Sequence, residues 1–192
     1  MRHGIYDRDF RAELPEENMN RNFQMDYYRM TGRQWGLRGY MDLLLYHELR
    51  YLLFLRNRKR GLVSTLRNLR WGRKYGLEIL SNHIGAGLYL GHAHNINVNP
   101  GAVIGKNCNL NKGATIGAQK RGKNAGSPVL GDDVWVGSNA VIVGSVHIGS
   151  DVMIAPNAYV NFDVPDHSVV IGNPGVVHSR NFATEDYISN RV

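Results

Sequence analysis

Aliphatic residues recur at intervals of six along the second half of the chain. Six of them follow one another without a break, at Leu130, Val136, Ile142, Ile148, Ile154 and Val160. Two shorter runs with the same spacing lie upstream, one at Ile84, Leu90 and Ile96 and the next at Val98, Ile104, Leu110 and Ile116. The strands of a β-sandwich alternate with a period of two instead. The spacing of six therefore predicts a repeating solenoid.

The residues around each aliphatic are typical of tight corners. Among the thirteen positions, the next residue is Gly seven times and Asn four times, and both adopt positive φ at little cost. A short strand and a corner every six residues give a three-sided prism whose parallel strands pair about 4.8 Å apart. Three stacked pairs are expected: Leu130 with Ile148, Val136 with Ile154 and Ile142 with Val160.

The repeat is interrupted once and stops at both ends. Eight residues more than the period allows lie between Ile116 and Leu130, so segment 118–128 is expected to leave the prism as a loop. Before residue 77, apolar residues at steps of three and four predict at least two helices. We predict a mainly β protein with a basic α-helical region over 1–76, a parallel β-helix over 77–172, and a tail over 173–192 that could form a short helix.

The formal net charge of +7 is concentrated in the helical region. Residues 1–76 hold 16 Lys and Arg against 8 Asp and Glu, whereas residues 77–192 hold 7 against 8. The basic segment 56–60 could contact an anionic membrane or nucleic acid. A solvated face or a contact with a neighbouring subunit is the favoured interpretation, so we expect no nucleic-acid partner.

The chain shows no pattern for export or membrane insertion. Its start lacks the apolar run of a secretory signal, and the longest apolar stretch, 43–55, is shorter than the ~20 residues that cross a bilayer. The single cysteine, Cys108, excludes an internal disulfide. These features predict a cytoplasmic protein without an integral membrane segment.

Four blocks of the repeat resemble the serine acetyltransferase branch of the hexapeptide-repeat acyltransferases. They are GLYLGH (87–92), NPGAVIG (99–105), GATIGA (113–118) and IGNPG (171–175). The segment YVNFDVP (159–165) resembles a subgroup found with bacterial surface-polysaccharide genes. The resemblance implies left-handed coils, although parallel crossovers in general favour the right hand. It also implies a homotrimer or a dimer of trimers, with acetyl-CoA in a groove between adjacent prisms.

The resemblance assigns the chemistry to a small set of residues. His92 would be the general base that takes the proton of an acceptor hydroxyl as it attacks the acetyl-CoA thioester. The acid that orients this histidine falls on Leu77 in a gapless match, or on Glu78 if the chain shifts by one residue. The pantetheine groove is expected along Gly117, Ala118, Ser138, Asn139 and Ala155.

Two further assignments concern phosphate and metal. Lys120 and Arg121 could meet the cofactor's phosphates from the loop, and a solvated loop is an equal alternative. The histidines at positions 83, 92 and 94 lack an acidic or cysteine partner nearby in sequence. We therefore expect no metal.

Two departures from the serine enzymes bear on the acceptor. Those enzymes have an aspartate before the catalytic histidine and an Arg-His pair before the loop proline, and here these places hold Gly91, Gly126 and Ser127. The ammonium and carboxylate of L-serine each need a charged partner to replace their hydration. We therefore expect L-serine to be used poorly.

The sequence as a whole predicts an acetyl-CoA-dependent enzyme. Its type is serine O-acetyltransferase, and the small-molecule acceptor is L-serine or a sugar hydroxyl. Acetylation of a sugar or surface-polysaccharide precursor is the alternative within the same class. A β-helix kept as a non-catalytic binding module is the alternative from another class.

Overall fold

Four helices come first in the computed structural model, which describes residues 19–57, 61–80 and 83–192. They are α1 (Met19–Thr31), α2 (Leu37–Leu45), α3 (His47–Asn57) and α4 (Leu62–Tyr75). Helix α4 ends at Gly76, whose φ of 67° is left-handed and whose N–H donates to Gly72 O. The helical region predicted before residue 77 is confirmed. No helix in the described ranges is long and apolar enough to span a bilayer.

Short strands then form three sheets that run along a solenoid of about five coils. Sheet A contains β1 (Glu78–Ile79), β4 (Asn97–Val98), β7 (Thr115–Gly117), β10 (Val141–Val143) and β13 (Tyr159–Val160). Sheet B contains β2 (His83–Ile84), β5 (Val103–Ile104), β8 (Val129–Leu130) and β11 (His147–Ile148). Sheet C contains β3 (Tyr89–Gly91), β6 (Asn109–Asn111), β9 (Val134–Val136), β12 (Val152–Ile154), β14 (Ser168–Ile171) and β15 (Val176–Ser179). All pairings are parallel except that of β14 with β15.

The periodic aliphatic residues form the interior of the prism. All thirteen are buried, and the register pairs Leu130 with Ile148, Val136 with Ile154 and Ile142 with Val160. The predicted stacking is therefore confirmed. Cys108 fills one of the small interior positions, and burial raises the pKa of its thiol to about 12. The handedness of the coils stays a prediction from the resemblance.

The loop predicted between Ile116 and Leu130 leaves the prism as a short hairpin. Gln119 and Gly126 pair through two backbone hydrogen bonds of 2.9 Å. The hairpin leans on a later coil, since the Ser145 N–H donates to Asn124 O at 2.8 Å. It starts from the corner between sheets A and B, which we call the loop corner (117–128).

A tyrosine from the helices takes the place of a preceding coil at the edge of sheet A. The Tyr51 hydroxyl donates to Leu77 O at 3.3 Å and accepts from the Ile79 N–H at 3.2 Å. These backbone groups have no earlier strand to pair with. Phe23, Leu52 and Ile79 belong to one buried cluster, so the helices and the prism share a core.

An ion pair from the helices covers the rest of the first coil. Arg56 donates to both carboxylate oxygens of Asp26, at 2.7 and 2.9 Å, and to Ile84 O and Gly85 O, each at 2.7 Å. Asp26 also accepts from the Leu88 N–H at 2.8 Å. Burial raises the pKa of Asp26, and the Arg56 guanidinium opposes that shift. The pair anchors α1 and α3 to the prism.

The C-terminal tail folds back along sheet C. Strand β15 lies antiparallel on the edge strand β14. Further on, Arg29 of α1 donates to Ser189 O and to the side chain of Asn109. The Val192 N–H donates to the side chain of Asn107 at 2.9 Å. The tail thus connects the first helix with the middle of the prism.

The short helix considered for the tail does not form. Residues 181–187 are a series of turns, because the carboxylate of Asp151 accepts from the Ala183 N–H at 3.1 Å and from the Thr184 N–H at 3.0 Å. Partial burial raises the pKa of Asp151, but hydrogen bonds from His167, Thr184 and Ala183 outweigh it and hold that pKa below its usual range. The carboxylate therefore fixes the start of the turns.

Candidate active site

The first corner between sheets C and A protrudes because it is longer than the others. Leu90 and Val98 lie eight positions apart across this corner, whereas Leu110 and Ile116 lie six apart in the next coil. This difference is the phase change between the two upstream runs of the repeat. The two extra residues push the turn outward, and His92 lies on it. We call this turn the histidine corner (91–97).

His92 is exposed and has a left-handed backbone with φ of 50°. Such a conformation is uncommon outside glycine and favours Asn, Asp and His among the other residues. No hydrogen bond to its imidazole is present within the described ranges, so both ring nitrogens are accessible from solvent. The ring is therefore placed to meet an incoming substrate.

Glu78 lies on β1 at the start of the first coil, and Asn97, which follows the histidine corner, pairs with it in register. The Glu78 side chain is exposed and accepts a hydrogen bond of 3.1 Å from Asn97. Leu77 has 3% of its surface exposed and contributes to the core. Of the two adjacent residues, only Glu78 thus presents a side chain on the outside of the prism.

The other residues assigned to the groove lie at two different corners. The turns that hold Ser138, Asn139 and Ala155 stack above the histidine corner, because they join the same two sheets in later coils. Ser138 lies two coils from His92, roughly 10 Å along the prism. Gly117 lies at the loop corner, on the far side of sheet A.

Ala118, Lys120 and Arg121 also belong to the loop corner. All three are exposed. The side-chain amide of Gln119 donates to Arg121 O at 2.7 Å. This hydrogen bond holds the backbone of the loop, and the Lys120 and Arg121 side chains are left exposed to solvent. Within one chain, sheet A separates this group from His92. The two groups of predicted residues therefore do not form a single groove in the isolated chain.

Two of the positions where the serine enzymes have charged residues leave no room for a side chain. A Cβ on Gly91 would collide with the side chain of Asn111, which donates to Val136 O at 2.8 Å. Gly126 has φ of 139°, and a Cβ there would meet Ser145 Cβ at 2.8 Å. The departures from the family pattern are thus built into the local structure.

Three aromatic rings support the histidine corner from the side of the helices. His47 stacks on Tyr75 with centroids 4.0 Å apart, and both meet His94 edge-on, at 5.2 and 5.3 Å. His47 Nε2 also contacts Ala93 O at 3.3 Å. The sequence analysis did not assign a role to His47 or Tyr75, since a single ring on a helix carries no periodic signal.

The described residues contain no group of three or more His, Cys, Asp or Glu side chains arranged to hold a metal ion. His92 and His94 lie on one turn, but His94 packs against aromatic rings and not against an acid.

Comparison with known proteins agrees with this architecture. Residues 127–161 match the family described as bacterial transferase hexapeptide (six repeats). The chain resembles serine acetyltransferase 4 of Arabidopsis thaliana, with 32% identity over 72% of this chain and 38% of that protein. The crystal structure of Neisseria gonorrhoeae serine acetyltransferase superimposes with a TM-score of 0.68 and 26% identity, over 89% of this chain and 70% of the other. A structure of that enzyme in complex with serine gives a TM-score of 0.63 at 25% identity, over 82% and 68%.

The solenoid and its repeat define a hexapeptide-repeat β-helix protein. The chain spans 30–44% of the length of the first curated relatives that it matches. Over the matched part, it is similar to serine acetyltransferases of plants and of Neisseria gonorrhoeae. Membership of the subgroup associated with surface polysaccharides stays a prediction.

Proposed function

We propose that the chain is an acetyl-CoA-dependent O-acetyltransferase of the serine acetyltransferase type. The observation that carries this proposal is the histidine corner, a turn two residues longer than its counterparts that holds an exposed imidazole and ends at Asn97, which binds the exposed carboxylate of Glu78. Acetyl transfer from a thioester to a hydroxyl needs a base of this kind, because a neutral hydroxyl is a weak nucleophile.

His92 takes the proton of the acceptor hydroxyl while the oxygen attacks the thioester carbonyl. Backbone N–H groups of the neighbouring turns stabilise the oxyanion that forms. The carbon–sulfur bond then breaks, and the sulfur leaves with the proton that His92 returns. Glu78, whose carboxylate binds Asn97 in the free chain, would turn to the imidazole when substrate binds and would stabilise its charged form.

The cofactor site is proposed to be shared between subunits. Because sheet A separates His92 from Gly117, Ala118, Lys120 and Arg121 within one chain, the loop corner of one prism would face the histidine corner of the next. Ser138, Asn139 and Ala155 would border the pantetheine along the histidine side. Small side chains there allow backbone amides to approach the ligand.

The test of the mechanism is the His92→Ala variant. We expect turnover to fall by about 10²–10⁴, because general-base catalysis is lost, while acetyl-CoA still binds. CoA release followed with a thiol reagent measures the first quantity and calorimetry the second. The matched control is His178→Ala on β15, an exposed histidine away from both corners, which should keep full activity. Full activity of His92→Ala would refute the assignment.

L-Serine is the acceptor named by the relatives, one of which is solved in complex with serine. A sugar hydroxyl, as in a surface-polysaccharide precursor, is the second candidate. Gly91 and Gly126 favour it, because a side chain at Gly91 would collide with Asn111 and the left-handed backbone of Gly126 disfavours one. A neutral hydroxyl makes no such demand.

We expect L-serine to be acetylated poorly and a sugar acceptor well. CoA release measured with L-serine and with a panel of sugars separates the two. Turnover of L-serine near an ordinary kcat of ~10 s⁻¹ would make serine the acceptor and would show that the loop lysines or Arg121 bind its carboxylate.

A further inference from the structure

A row of aromatic and cationic side chains runs along the junction of α3 and α4 and ends at the histidine corner. We call it the aromatic–cation seam. Its members are Arg50, Trp71, Lys74, Tyr75, His47 and His94. We propose that this seam binds the acceptor, and that the acceptor is a sugar carrying a phosphate group. The inference rests on the proposed acetyl transfer and narrows its second acceptor class.

The rings of the seam form one continuous stack. Trp71 and Tyr75 are nearly parallel, with an angle of 7° and centroids 5.7 Å apart. Tyr75 in turn stacks on His47 and meets His94 at 5.3 Å. From His94 to Trp71 the path over Tyr75 is thus about 11 Å, which is long enough for a sugar ring with a substituent.

The cations of the seam are held by ring faces and not by carboxylates. The guanidinium of Arg50 lies 4.3 Å from the centroid of Trp71, and Lys74 Nζ lies 5.3 Å from Trp71 and 5.2 Å from Tyr75. Neither cation forms an ion pair within the described ranges, and Arg50 Nε is buried without a hydrogen-bond partner. One carboxylate reaches the seam at its other end, where Glu48 lies 3.4 Å from His47 Nδ1.

The surroundings add positive charge to the same end of the molecule. Helix α4 contains no acidic residue and exposes Arg67, Arg70 and Arg73. A depression on this helix is lined by Leu66, Leu69, Arg70, Trp71, Arg73 and Lys74. Unpaired cations at a partly exposed aromatic surface are suited to phosphate oxygens, which accept charge-assisted hydrogen bonds.

The position of the seam connects this binding surface with the chemistry. His94 is two residues from His92 on the same protruding turn, and His47 contacts Ala93 O between them. A phosphate near Lys74 and Arg50 would leave the attached sugar ring along the edges of Tyr75 and His94, because Trp71 and His47 cover the faces of Tyr75. One of its hydroxyls would then lie within reach of His92. L-Serine lacks both the length and the ring to use this surface.

The test measures binding in the His92→Ala variant, which cannot turn the acceptor over. The probes are glucose, glucose 1-phosphate and UDP-glucose, and calorimetry gives Kd at low and high salt. We expect both phosphorylated probes to bind at least about tenfold more tightly than glucose, with a Kd that rises with salt. If UDP-glucose binds more tightly than glucose 1-phosphate, the acceptor is a nucleotide-sugar. If glucose 1-phosphate binds more tightly, the acceptor is a sugar phosphate.

Two substitutions connect the binding with the seam. Lys74→Gln and Trp71→Leu, each added to His92→Ala, should weaken glucose 1-phosphate binding by about tenfold. Lys106→Gln, which removes an exposed lysine on the far side of the prism, is the matched control and should change nothing. Circular dichroism confirms that each variant is folded.

Equal affinity for glucose and glucose 1-phosphate would overturn the inference, as would an unchanged Kd in Lys74→Gln. The outcome is separate from that of the proposed function. If the native chain releases no CoA with any acceptor but the seam variants still lose phosphate binding, acetyl transfer fails and the seam stands. If CoA is released and Lys74→Gln binds normally, the seam fails alone.

Discussion

The side chain of Asn111 determines which residue fits at position 91 on the neighbouring strand. Its amide lies over Gly91 and donates to Val136 O. The sequence predicts a corner with positive φ at the residue after each aliphatic, but Asn111 is the last residue of β6. The left-handed residues lie two positions further on, as at Asn107 and Asn139. The contact with Gly91 could not be predicted, because it depends on the register of two strands twenty residues apart.

We expect Gly91→Asp to destabilise the protein by about 1–3 kcal/mol, since the new Cβ collides with Asn111. It should not raise turnover of L-serine, although it restores the aspartate of the serine enzymes. Thermal unfolding and a CoA-release assay measure the two effects. The double variant Gly91→Asp with Asn111→Gly removes the collision and serves as the control. A single variant of native stability would contradict the steric argument.

The acid beside His92 was open between two neighbouring residues in the sequence. A gapless match pointed to Leu77. In the structure Leu77 is buried in the core, whereas the side chain of Glu78 is exposed. Which of the two faces outward depends on the register of strand β1. The six-residue repeat cannot predict that register, because β1 belongs to the first coil and has no earlier coil to align with. The catalytic role of Glu78 stays a prediction.

At the scale of the strands, the repeat carried nearly all of the information. The thirteen aliphatic positions, the stacked pairs and the loop of eight extra residues follow from spacing alone, and each is found in the structure. Even the protruding histidine corner is visible as a phase change of two residues between Ile96 and Val98. Regular packing is predictable because every coil repeats the same physical constraint.

The sequence predicted that the helices exist but not how they attach to the prism. Their attachment to the prism depends on Tyr51, Arg56 and Asp26, single side chains that pair with backbone groups far away in sequence. The aromatic–cation seam was missed for the same reason. The positive charge counted over residues 1–76 did not indicate where the cations lie or what they contact.

We expect Asp26→Asn to lower the free energy of unfolding by about 3–5 kcal/mol, because Arg56 would remain buried without its counter-charge. Urea unfolding followed by circular dichroism measures the loss. Asp186→Asn, at an exposed carboxylate in the tail, is the matched control and should have little effect. A loss below about 1 kcal/mol would show that the helices and the prism are stabilised independently.

Within the described ranges, two of the helices expose large apolar side chains to solvent. Helices α2 and α4 present Leu37, Leu45 and Leu62 to solvent, with 88%, 70% and 73% of their surfaces exposed. Patches of this kind mark protein–protein contacts. They support an assembly in which each active site is completed by a neighbour.

We expect the protein to form a trimer of three times 21.6 kDa, or a pair of trimers joined through the helical region. Light scattering coupled to size-exclusion chromatography gives the mass directly. Dilution that dissociates the assembly should abolish CoA release, because the two corners of sheet A no longer meet their counterparts. A monomer with full activity would rule out the shared groove.

Each coil of a solenoid presents backbone groups that can pair with another coil, so such a fold could in principle extend without limit. Its last coil offers a row of backbone donors and acceptors, and its first coil lacks a partner for the same row. Tyr51, Arg56 and the reversed strand β15 occupy these rows at the two ends. They block part of these rows, so we expect copies of the chain to associate side by side and not to grow end to end into fibres.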